Sequence, residues 1–235
     1  MTLRRAAFLD RDGVINIDRG YVYRPEEFEF VDGVFEGTST LQRLDLVLVV
    51  ISNQSGIGRG LYSEADLDVL NRWMLRQFEQ RSIRIEGVFH CPHHPTEAIG
   101  PYRRECDCRK PAPGMLLRAA RELNLDLQRS VLFGDRASDL QAAANAGVPL
   151  RYLLRTGGSG RPAPAEPPGL STAQFINLKE AKQEMTPAAK QKLEKWSGEL
   201  DDYTIKLAKF VKAFPDLLKA NDKKQMDEQI GQFIL

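Results

Sequence analysis

Short apolar runs alternate with helical patterns along the first three quarters of the chain. The clearest run, Val47–Ile51, is rich in β-branched residues and contains no polar position. Further along, Leu67, Leu70, Met74 and Phe78 fall on one face of a helix. Apolar strands that alternate with amphipathic helices are typical of an α/β protein, and they predict a Rossmann-like parallel sheet with helices on both faces.

The remaining elements follow the same alternation. Ser63 is a suitable N-cap for the helix just described, because Asp66 stands at its third position. Another helix follows Pro113, and a third runs from Asp139 to a stop at Gly147. The predicted strands are Ala6–Leu9, Val47–Ile51, Val88–Phe89, Val131–Phe133 and Tyr152–Leu154, with Phe175–Ile176 as a short edge strand.

The use of basic residues changes abruptly near residue 178. Up to that point the chain has twenty-one arginines and one lysine, Lys110, whereas residues 179–235 have eleven lysines and no arginine. We therefore predict a first domain over residues 1–178 and a separate helical, Lys-rich extension over residues 179–235. Apolar residues in the extension step by three and four, which predicts either a hairpin packed on the first domain or on itself, or a self-associating coiled coil.

Composition excludes several classes of function. The 235 residues include 33 basic and 32 acidic side chains, a balance that gives no footprint for nucleic acid or an anionic membrane. The longest apolar stretch, Leu44–Ile51, is too short to span a bilayer, and Met1–Asp10 lacks the apolar segment of a signal peptide. Three cysteines are too few for a disulfide scaffold. We expect a cytoplasmic protein whose cysteines bind metal, with a monomeric first domain.

All three cysteines and two of the three histidines lie in one segment. Cys91, His93, Cys106 and Cys108 form a C-x-H and a C-x-C pair, which offer four ligands for a closed tetrahedral Zn²⁺ site over residues 91–108. Because no position is left open, the zinc is expected to be structural. His94 is the alternative imidazole ligand. Arg109 and Lys110 follow immediately, and such a basic pair can hold phosphate.

Polar residues follow three of the predicted strands directly. Asp10 and Asp12 come after the first strand, the stretch from Ser52 to Ser55 after the second, and Asp135 after the fourth. Ligands bind at the carboxyl ends of strands in such sheets, so these groups are expected to converge with Lys110. Carboxylates there would suit Mg²⁺. Asp139 is open to two interpretations, as a metal-site residue or as a helix N-cap.

The order of these motifs resembles that of the haloacid dehalogenase superfamily, and residues 1 to about 178 resemble it throughout. A closer resemblance is to the family of D-glycero-D-manno-heptose 1,7-bisphosphate 7-phosphatases. The resemblance is carried by Phe8–Asn16, Arg19–Val22, Ser52–Gly60, Cys91–Pro95 and Cys106–Met115. It implies a small zinc-binding loop in place of a large cap, and a sugar phosphate as substrate.

The resemblance also implies residue roles. Asp10 would be the nucleophile that forms an aspartyl-phosphate, and Asp12 the proton donor and acceptor. Ser52 and Lys110 would steady the phosphoryl group. Mg²⁺ would be held by Asp10, Asp12 and Asp135, and Zn²⁺ by Cys91, His93, Cys106 and Cys108. The implied substrate-binding residues are Asp18, Arg19, Gly20, Tyr21, Asn53, Gln54, Ser55, Arg109 and Arg136.

Three functions remain open from the sequence. The first is Mg²⁺-dependent removal of the C7 phosphate from heptose 1,7-bisphosphate, for activated heptose used in cell-surface glycans. The second is a histidinol-phosphate phosphatase, which resembles the chain in the same motifs but has a shorter loop between the metal pairs. Twelve residues separate His93 from Cys106 here, which favours the first. The third is a non-enzymatic scaffold, which the intact Asp10, Asp12, Lys110 and Asp135 disfavour.

Overall fold

A six-stranded sheet forms the centre of the protein. The computed structural model describes residues 3–154, 169–175 and 178. The strands, numbered in chain order, are β1 (Ala6–Leu9), β2 (Val47–Asn53), β3 (Ile85–Cys91), β4 (Val131–Gly134), β5 (Leu150–Leu154) and β6 (Ala173–Phe175). All neighbouring strands are parallel, in the order β3-β2-β1-β4-β5-β6. The predicted parallel α/β sheet is confirmed, and β6 lies at the edge as expected.

Helices cover both faces of the sheet. They are α1 (Val34–Arg43), α2 (Ser55–Gly58), α3 (Glu64–Glu79), α4 (Gly114–Leu123) and α5 (Ala137–Asn145). Ala6 and Phe8 of β1 belong to one core with residues of α4 and α5. Ala7 and Leu9 alternate to the opposite face and are also fully buried. The Rossmann-like arrangement predicted from the sequence is therefore present.

Helix boundaries follow from local capping. Ser63 is the N-cap of α3, and it forms a reciprocal capping box with Asp66, as predicted. The sequence patterns did not identify α1. Its buried face includes Thr38 and Thr40, whose hydroxyl groups donate to the carbonyl oxygens of Val34 and Glu36. A helix whose buried positions are partly threonine has a weak apolar stripe, which explains why the pattern missed it.

The order in which strands are added to the sheet reverses at β1. From β1 the chain moves outward through β2 to β3, and it then returns to place β4 on the other side of β1. Such a switch point opens a crevice at the carboxyl ends of the two central strands. The backbone N–H of Asp10 donates to the carbonyl oxygen of Phe133 at 3.0 Å, so the residues after β1 and β4 lie side by side.

The chain divides into two units, residues 1–179 and 180–235, and the second lies outside the described residues. The predicted helix of the Lys-rich extension therefore stays a prediction. Among the described residues, none of the helices combines the length and the apolar character that crossing a membrane requires.

Candidate active site

A polar cleft of about 230 Å³ opens at the carboxyl ends of β1, β2 and β4. It lies at the switch point of the sheet, and most of the predicted site residues line it. The lining residues are Asp10, Asp12, Asp18, Gly20, Tyr21, Ser52, Asn53, Gln54, Ser55, Arg59, Tyr62, Arg109, Lys110, Arg136, Ser138 and Asp139.

Lys110 links two carboxylates at the bottom of the cleft. Its ammonium lies 2.8 Å from Asp10 Oδ1 and 2.7 Å from Asp139 Oδ1, and it also donates to the carbonyl oxygen of Ile51 at 3.1 Å. All three side chains are buried. Burial would lower the pKa of Lys110, but the charges of Asp10 and Asp139 raise it above its usual range. The lysine is therefore a permanent positive charge at this position.

Asp139 does not cap α5 in the way that one interpretation proposed. Arg136 is the N-cap, and Asp139 stands three residues later, where its Oδ2 accepts from the backbone N–H of Arg136 at 2.9 Å. Its other oxygen accepts from Lys110. The N-cap assignment is corrected, because the third position of a capping box lets one carboxylate serve both the helix end and the cleft.

Asp10, Asp135 and Asp139 could hold a cation together. One carboxylate oxygen from each lies within 4.8 Å of the others. Burial, together with the charges of Asp139 and Asp10, raises the pKa of Asp135 to about 9. Its buried Oδ1 has no hydrogen-bond partner in the described part of the chain. Clustered oxygen donors with an orphaned carboxylate oxygen fit Mg²⁺, since such a cation would satisfy the oxygen and offset the repulsion.

Gly13 makes this cluster possible. Its φ is +92°, and an added Cβ would lie 2.2 Å from Asp135 Oδ2. Both the left-handed backbone and the missing side chain are therefore needed for the first acidic loop to turn beside Asp135.

The pKa values of the nucleophile candidate, Asp10, and of the acid/base candidate, Asp12, are shifted in opposite directions. Burial raises the pKa of Asp10 to about 7, against the opposing effect of Lys110. Burial alone would also raise the pKa of Asp12, but Arg11, Asn16 and Gln54 bring it below the usual value. Arg11 Nη2 contacts both oxygens of Asp12, at 2.9 and 3.0 Å. The carboxylate form of Asp12 is thus strongly favoured in this geometry.

Gln54 connects the first two strand ends. Its amide nitrogen donates to Ser52 Oγ at 2.7 Å and to Asp12 Oδ2 at 2.9 Å. Tyr62 donates its hydroxyl to the amide oxygen of Gln54 at 2.5 Å, and it fixes the orientation of the amide. Because Ser52 Oγ accepts from Gln54, its own proton is available to a ligand in the cleft.

Asn53 holds the backbone of Lys110. Its amide nitrogen donates to the Lys110 carbonyl oxygen, and its amide oxygen accepts from the Lys110 N–H, each at 3.1 Å. This reciprocal pair uses both ends of the amide. The structure therefore gives Asn53 a positioning contact, in addition to the place on the cleft wall expected of a substrate-binding residue.

One predicted substrate-binding residue lies outside the cleft lining. Arg19 is exposed, and its guanidinium pairs with Glu29 at 2.5 Å. Asp18 Oδ1 accepts from the backbone N–H of Gly20, which forms a turn at this point. Asp18, Gly20 and Tyr21 face the cleft while Arg19 is directed outward. Asp18 also pairs with Arg136 at 2.6 Å across the opening.

The four predicted zinc ligands meet at one point. The cysteine sulfurs lie 3.0–3.5 Å apart, and His93 Nδ1 lies 3.4 Å from Cys108 Sγ and 3.7 Å from Cys91 Sγ. Disulfide sulfurs are about 2.05 Å apart, whereas sulfurs in tetrahedral zinc sites are roughly 3.8 Å apart. Three sulfurs and one imidazole nitrogen at these spacings fit a closed zinc shell. His94 lies outside this group.

The cysteine cluster is joined directly to the cleft. Cys91 is the last residue of β3 and is in register with Asn53 of β2. Arg109, next to the second ligand pair, donates from Nη1 to the carbonyl oxygen of His93 at 3.1 Å. The predicted zinc ligands are therefore connected to the segment that carries Arg109 and Lys110.

Three lining residues were not anticipated from the sequence. Arg59, Tyr62 and Ser138 line the cleft, yet none of them directly follows a strand. For Arg59 a signal exists, since it lies within the Ser52–Gly60 stretch that carries the family resemblance. Ser138 sits in the first turn of α5, where a serine is unremarkable.

The chain is similar to several known proteins. A family profile described as HAD-hydrolase-like matches residues 107–181. The D-glycero-beta-D-manno-heptose-1,7-bisphosphate 7-phosphatase of Vibrio cholerae is 46% identical over 175 residues, which are 74% of this chain and 92% of that protein. The enzyme of the same name from Escherichia coli K12 is 46% identical over 152 residues, or 65% of this chain and 80% of its own length.

Solved structures include similar folds. The D,D-heptose 1,7-bisphosphate phosphatase of B. bronchiseptica, complexed with magnesium and phosphate, is 34% identical with a TM-score of 0.65. The match covers 81% of this chain and 99% of that one. The corresponding phosphatase of Burkholderia thailandensis is 28% identical with a TM-score of 0.53, over 76% of this chain and 96% of the other.

Proposed function

Because the chain belongs to the D-glycero-β-D-manno-heptose-1,7-bisphosphate 7-phosphatase family of HAD-like hydrolases, we propose that it removes the C7 phosphate of this sugar bisphosphate. The observation that carries the proposal is the buried group of Asp10, Lys110 and Asp139 beside Asp12, at the switch point of the sheet. A carboxylate nucleophile next to a fixed cation suits the hydrolysis of phosphate esters.

Asp10 is the nucleophile in this proposal. Its Oδ1 is held by Lys110 and by the backbone N–H of Arg11, which leaves Oδ2 as the oxygen that would attack phosphorus. Attack forms an aspartyl-phosphate and expels the sugar alkoxide, and water then cleaves the acyl phosphate. One difficult displacement thus becomes two easier ones. Ser52 Oγ and the Lys110 ammonium donate to the phosphoryl oxygens.

Asp12 moves the protons. It would give a proton to the leaving alkoxide and take one from the hydrolytic water. Its hydrogen bonds to Arg11, Asn16 and Gln54 favour the carboxylate form before substrate binds. A phosphate dianion placed beside it raises its pKa by repulsion, so the acid form becomes available when it is needed.

Two metal ions complete the proposal. Mg²⁺, held by Asp10, Asp135 and the backbone carbonyl of Asp12, would neutralise charge on the phosphoryl group. Asp139 belongs to the same carboxylate cluster, and its Oδ1 lies 2.7 Å from the Lys110 ammonium. Zn²⁺ held by Cys91, His93, Cys106 and Cys108 has no open position for chemistry and would keep Arg109 and Lys110 in place.

The test is a comparison of three substrates. Phosphate release is measured with Mg²⁺ from heptose 1,7-bisphosphate, histidinol phosphate and glucose 6-phosphate, with the Asp10→Asn variant as the blank. We expect the highest kcat/KM for the heptose bisphosphate. A preference for histidinol phosphate would overturn the proposed substrate, and no turnover of any of them would favour a scaffold.

The rest of the chain is proposed to have no part in this chemistry. Residues 1–178 would form the catalytic domain, and the Lys-rich extension, residues 179–235, would be dispensable for turnover. Leu178 is buried, and its Cβ lies 2.5 Å from the position a Cβ on Gly37 would take, so a truncation is best placed after Lys179. Equal kcat/KM in the full and shortened chains is expected, with mass measurements reporting any self-association. A large fall in kcat/KM would contradict the division.

The cellular setting follows from the substrate. A heptose monophosphate made by this reaction would feed the synthesis of nucleotide-activated heptose for surface glycans, in the cytoplasm. Accumulation of heptose 1,7-bisphosphate in cells lacking the protein would test this placement, and an unchanged level would argue against it.

A further inference from the structure

Arg59 is the cleft residue whose contacts the proposed reaction does not use. It follows α2 directly, and its guanidinium lines the cleft with about a quarter of the side chain exposed (28%). Its Nε is buried and has no hydrogen-bond partner among the described residues. A buried N–H of a charged group without a partner is costly, so a bound anion is the natural partner for it.

The loop between the two pairs of metal ligands holds Arg59 in place. Glu97, which lies in that loop, accepts a hydrogen bond from Arg59 Nη2. The loop also docks on α2, since the backbone N–H of Ile99 donates to the carbonyl oxygen of Gly58 at 2.7 Å. Tyr21 packs against the guanidinium from the opposite wall, at 5.6 Å from its ring centroid. Arg59 is thus contacted by two other loops.

Arg109 lines the same cleft as Arg59. Arg109 is bonded to the His93 carbonyl oxygen and has no carboxylate partner in the described part of the chain. The cleft lining therefore includes two arginines that a bound anion can contact.

The other cations of the cleft are committed elsewhere. Lys110 is paired with Asp10 and Asp139 at the reacting end, and Arg136 is paired with Asp18. A substrate with two phosphates needs a second set of donors for the group that is not cleaved. Arg109 has no carboxylate partner among the described residues, and Arg59, although its Nη2 pairs with Glu97, keeps an unpartnered Nε for a bound anion.

We propose that Arg59, together with Arg109, binds the phosphate that stays on the sugar, and that Glu97 positions Arg59 for this contact. The inference rests on the proposed function, because it assumes a bisphosphate substrate. It extends that proposal to the origin of specificity. Glu97, in the loop between the two pairs of metal ligands, would hold the positive charge of Arg59 at a position that only a substrate with a second phosphate can reach. Arginine suits this task because its planar donors match phosphate geometry.

The test compares a bisphosphate with a monoester. We would measure kcat and KM of wild type, Arg59→Ala and Arg59→Lys with heptose 1,7-bisphosphate and with p-nitrophenyl phosphate. Loss of a charge-assisted contact should lower kcat/KM for the bisphosphate about ten- to a hundredfold in Arg59→Ala. The monoester value should change less than about threefold, and Arg59→Lys should recover part of the loss. Arg118→Ala, which removes a surface arginine paired with Glu122, is the matched control.

Glu97→Gln separates positioning from a general effect on folding. We expect a higher KM for the bisphosphate, by about three- to tenfold, with kcat and the monoester kinetics little changed. Glu122→Gln removes a comparable ion pair on α4 and should leave all values as in wild type. Thermal melting of each variant checks that it is folded.

The possible outcomes distinguish a failure of the proposed function from a failure of the role proposed for Arg59. A wild-type enzyme that hydrolyses bisphosphate and monoester equally well would overturn the proposed function and this inference with it. A wild type that prefers the bisphosphate, with Arg59→Ala keeping that preference or losing both activities equally, would overturn the inference alone.

Discussion

Replacing Asn53 with Ala should weaken both the fold and the reaction. The substitution removes the reciprocal hydrogen bonds, each of 3.1 Å, that hold the backbone of Lys110. Each bond is worth about 1 kcal/mol, and the unpaired Lys110 groups add a desolvation cost, so the loss is about 2–3 kcal/mol. For a domain of this size that is a fall in Tm of about 5–10 °C. Because the Lys110 ammonium moves with its backbone, kcat should fall at least about tenfold.

A second substitution separates the contributions of the two hydrogen bonds that Asn53 makes. Asn53→Asp keeps an oxygen that accepts from the Lys110 N–H but loses the donor to the Lys110 carbonyl oxygen. Its loss of stability should therefore be at least half of that expected for Asn53→Ala. Melting temperatures and kcat with p-nitrophenyl phosphate measure both quantities. Asn145→Ala is the control, since Asn145 donates to the neighbouring Pro111 carbonyl oxygen from an exposed position. An Asn53→Ala protein with wild-type kcat and Tm would refute this account of how Lys110 is held.

Three further predictions concern the carboxylates and the cysteines. Asp10→Asn should abolish turnover while the protein stays folded by circular dichroism, and full residual activity would assign the nucleophile to another residue. Cys108→Ser should release zinc and lower Tm by about 5–10 °C, measured by metal analysis and calorimetry, and an unchanged zinc content would contradict the four-ligand site. In magnesium-free protein, the raised pKa values of Asp10 (about 7) and Asp135 (about 9) make the folded state bind protons more tightly than the unfolded state. The stability that these groups contribute is therefore fully present below about pH 4 and is lost as pH rises towards 9. The Tm of the magnesium-free protein should fall over that range, and added magnesium should restore it. A Tm that does not respond to magnesium at pH 9 would argue against the site.

The convergence of strand ends could be predicted because it follows from topology. Asp10, Ser52 and Asp135 each come within two residues of an apolar run, and parallel strands bring such positions to one edge. The cysteine and histidine spacing likewise predicted which four side chains would meet. In both cases short sequence distances determine the geometry.

Contacts that depend on distant segments could not be predicted. The link from Lys110 to Asp139 joins two loops that are far apart in the chain, and Asp139 alone looks like an ordinary helix cap. Arg59 directly follows α2, and its contact with Glu97 joins it to a loop far along the chain. The position of Arg19 outside the cleft lining could not be predicted either, because it depends on a turn at Asp18 and on the pairing of Arg19 with Glu29.

The placement of the four cysteine and histidine ligands also affects how this protein could be re-engineered. Cys91 and His93 lie at one end of the segment of residues 94–105, and Cys106 and Cys108 at the other, so the bound ion would fasten both ends of an exchangeable insert. A graft of different length or charge between His93 and Cys106 would begin and end at fixed points, while β3 and the Lys110 backbone stay where they are. Substrate preference could then be varied by exchanging this one segment, while the fold and the reaction centre stay the same.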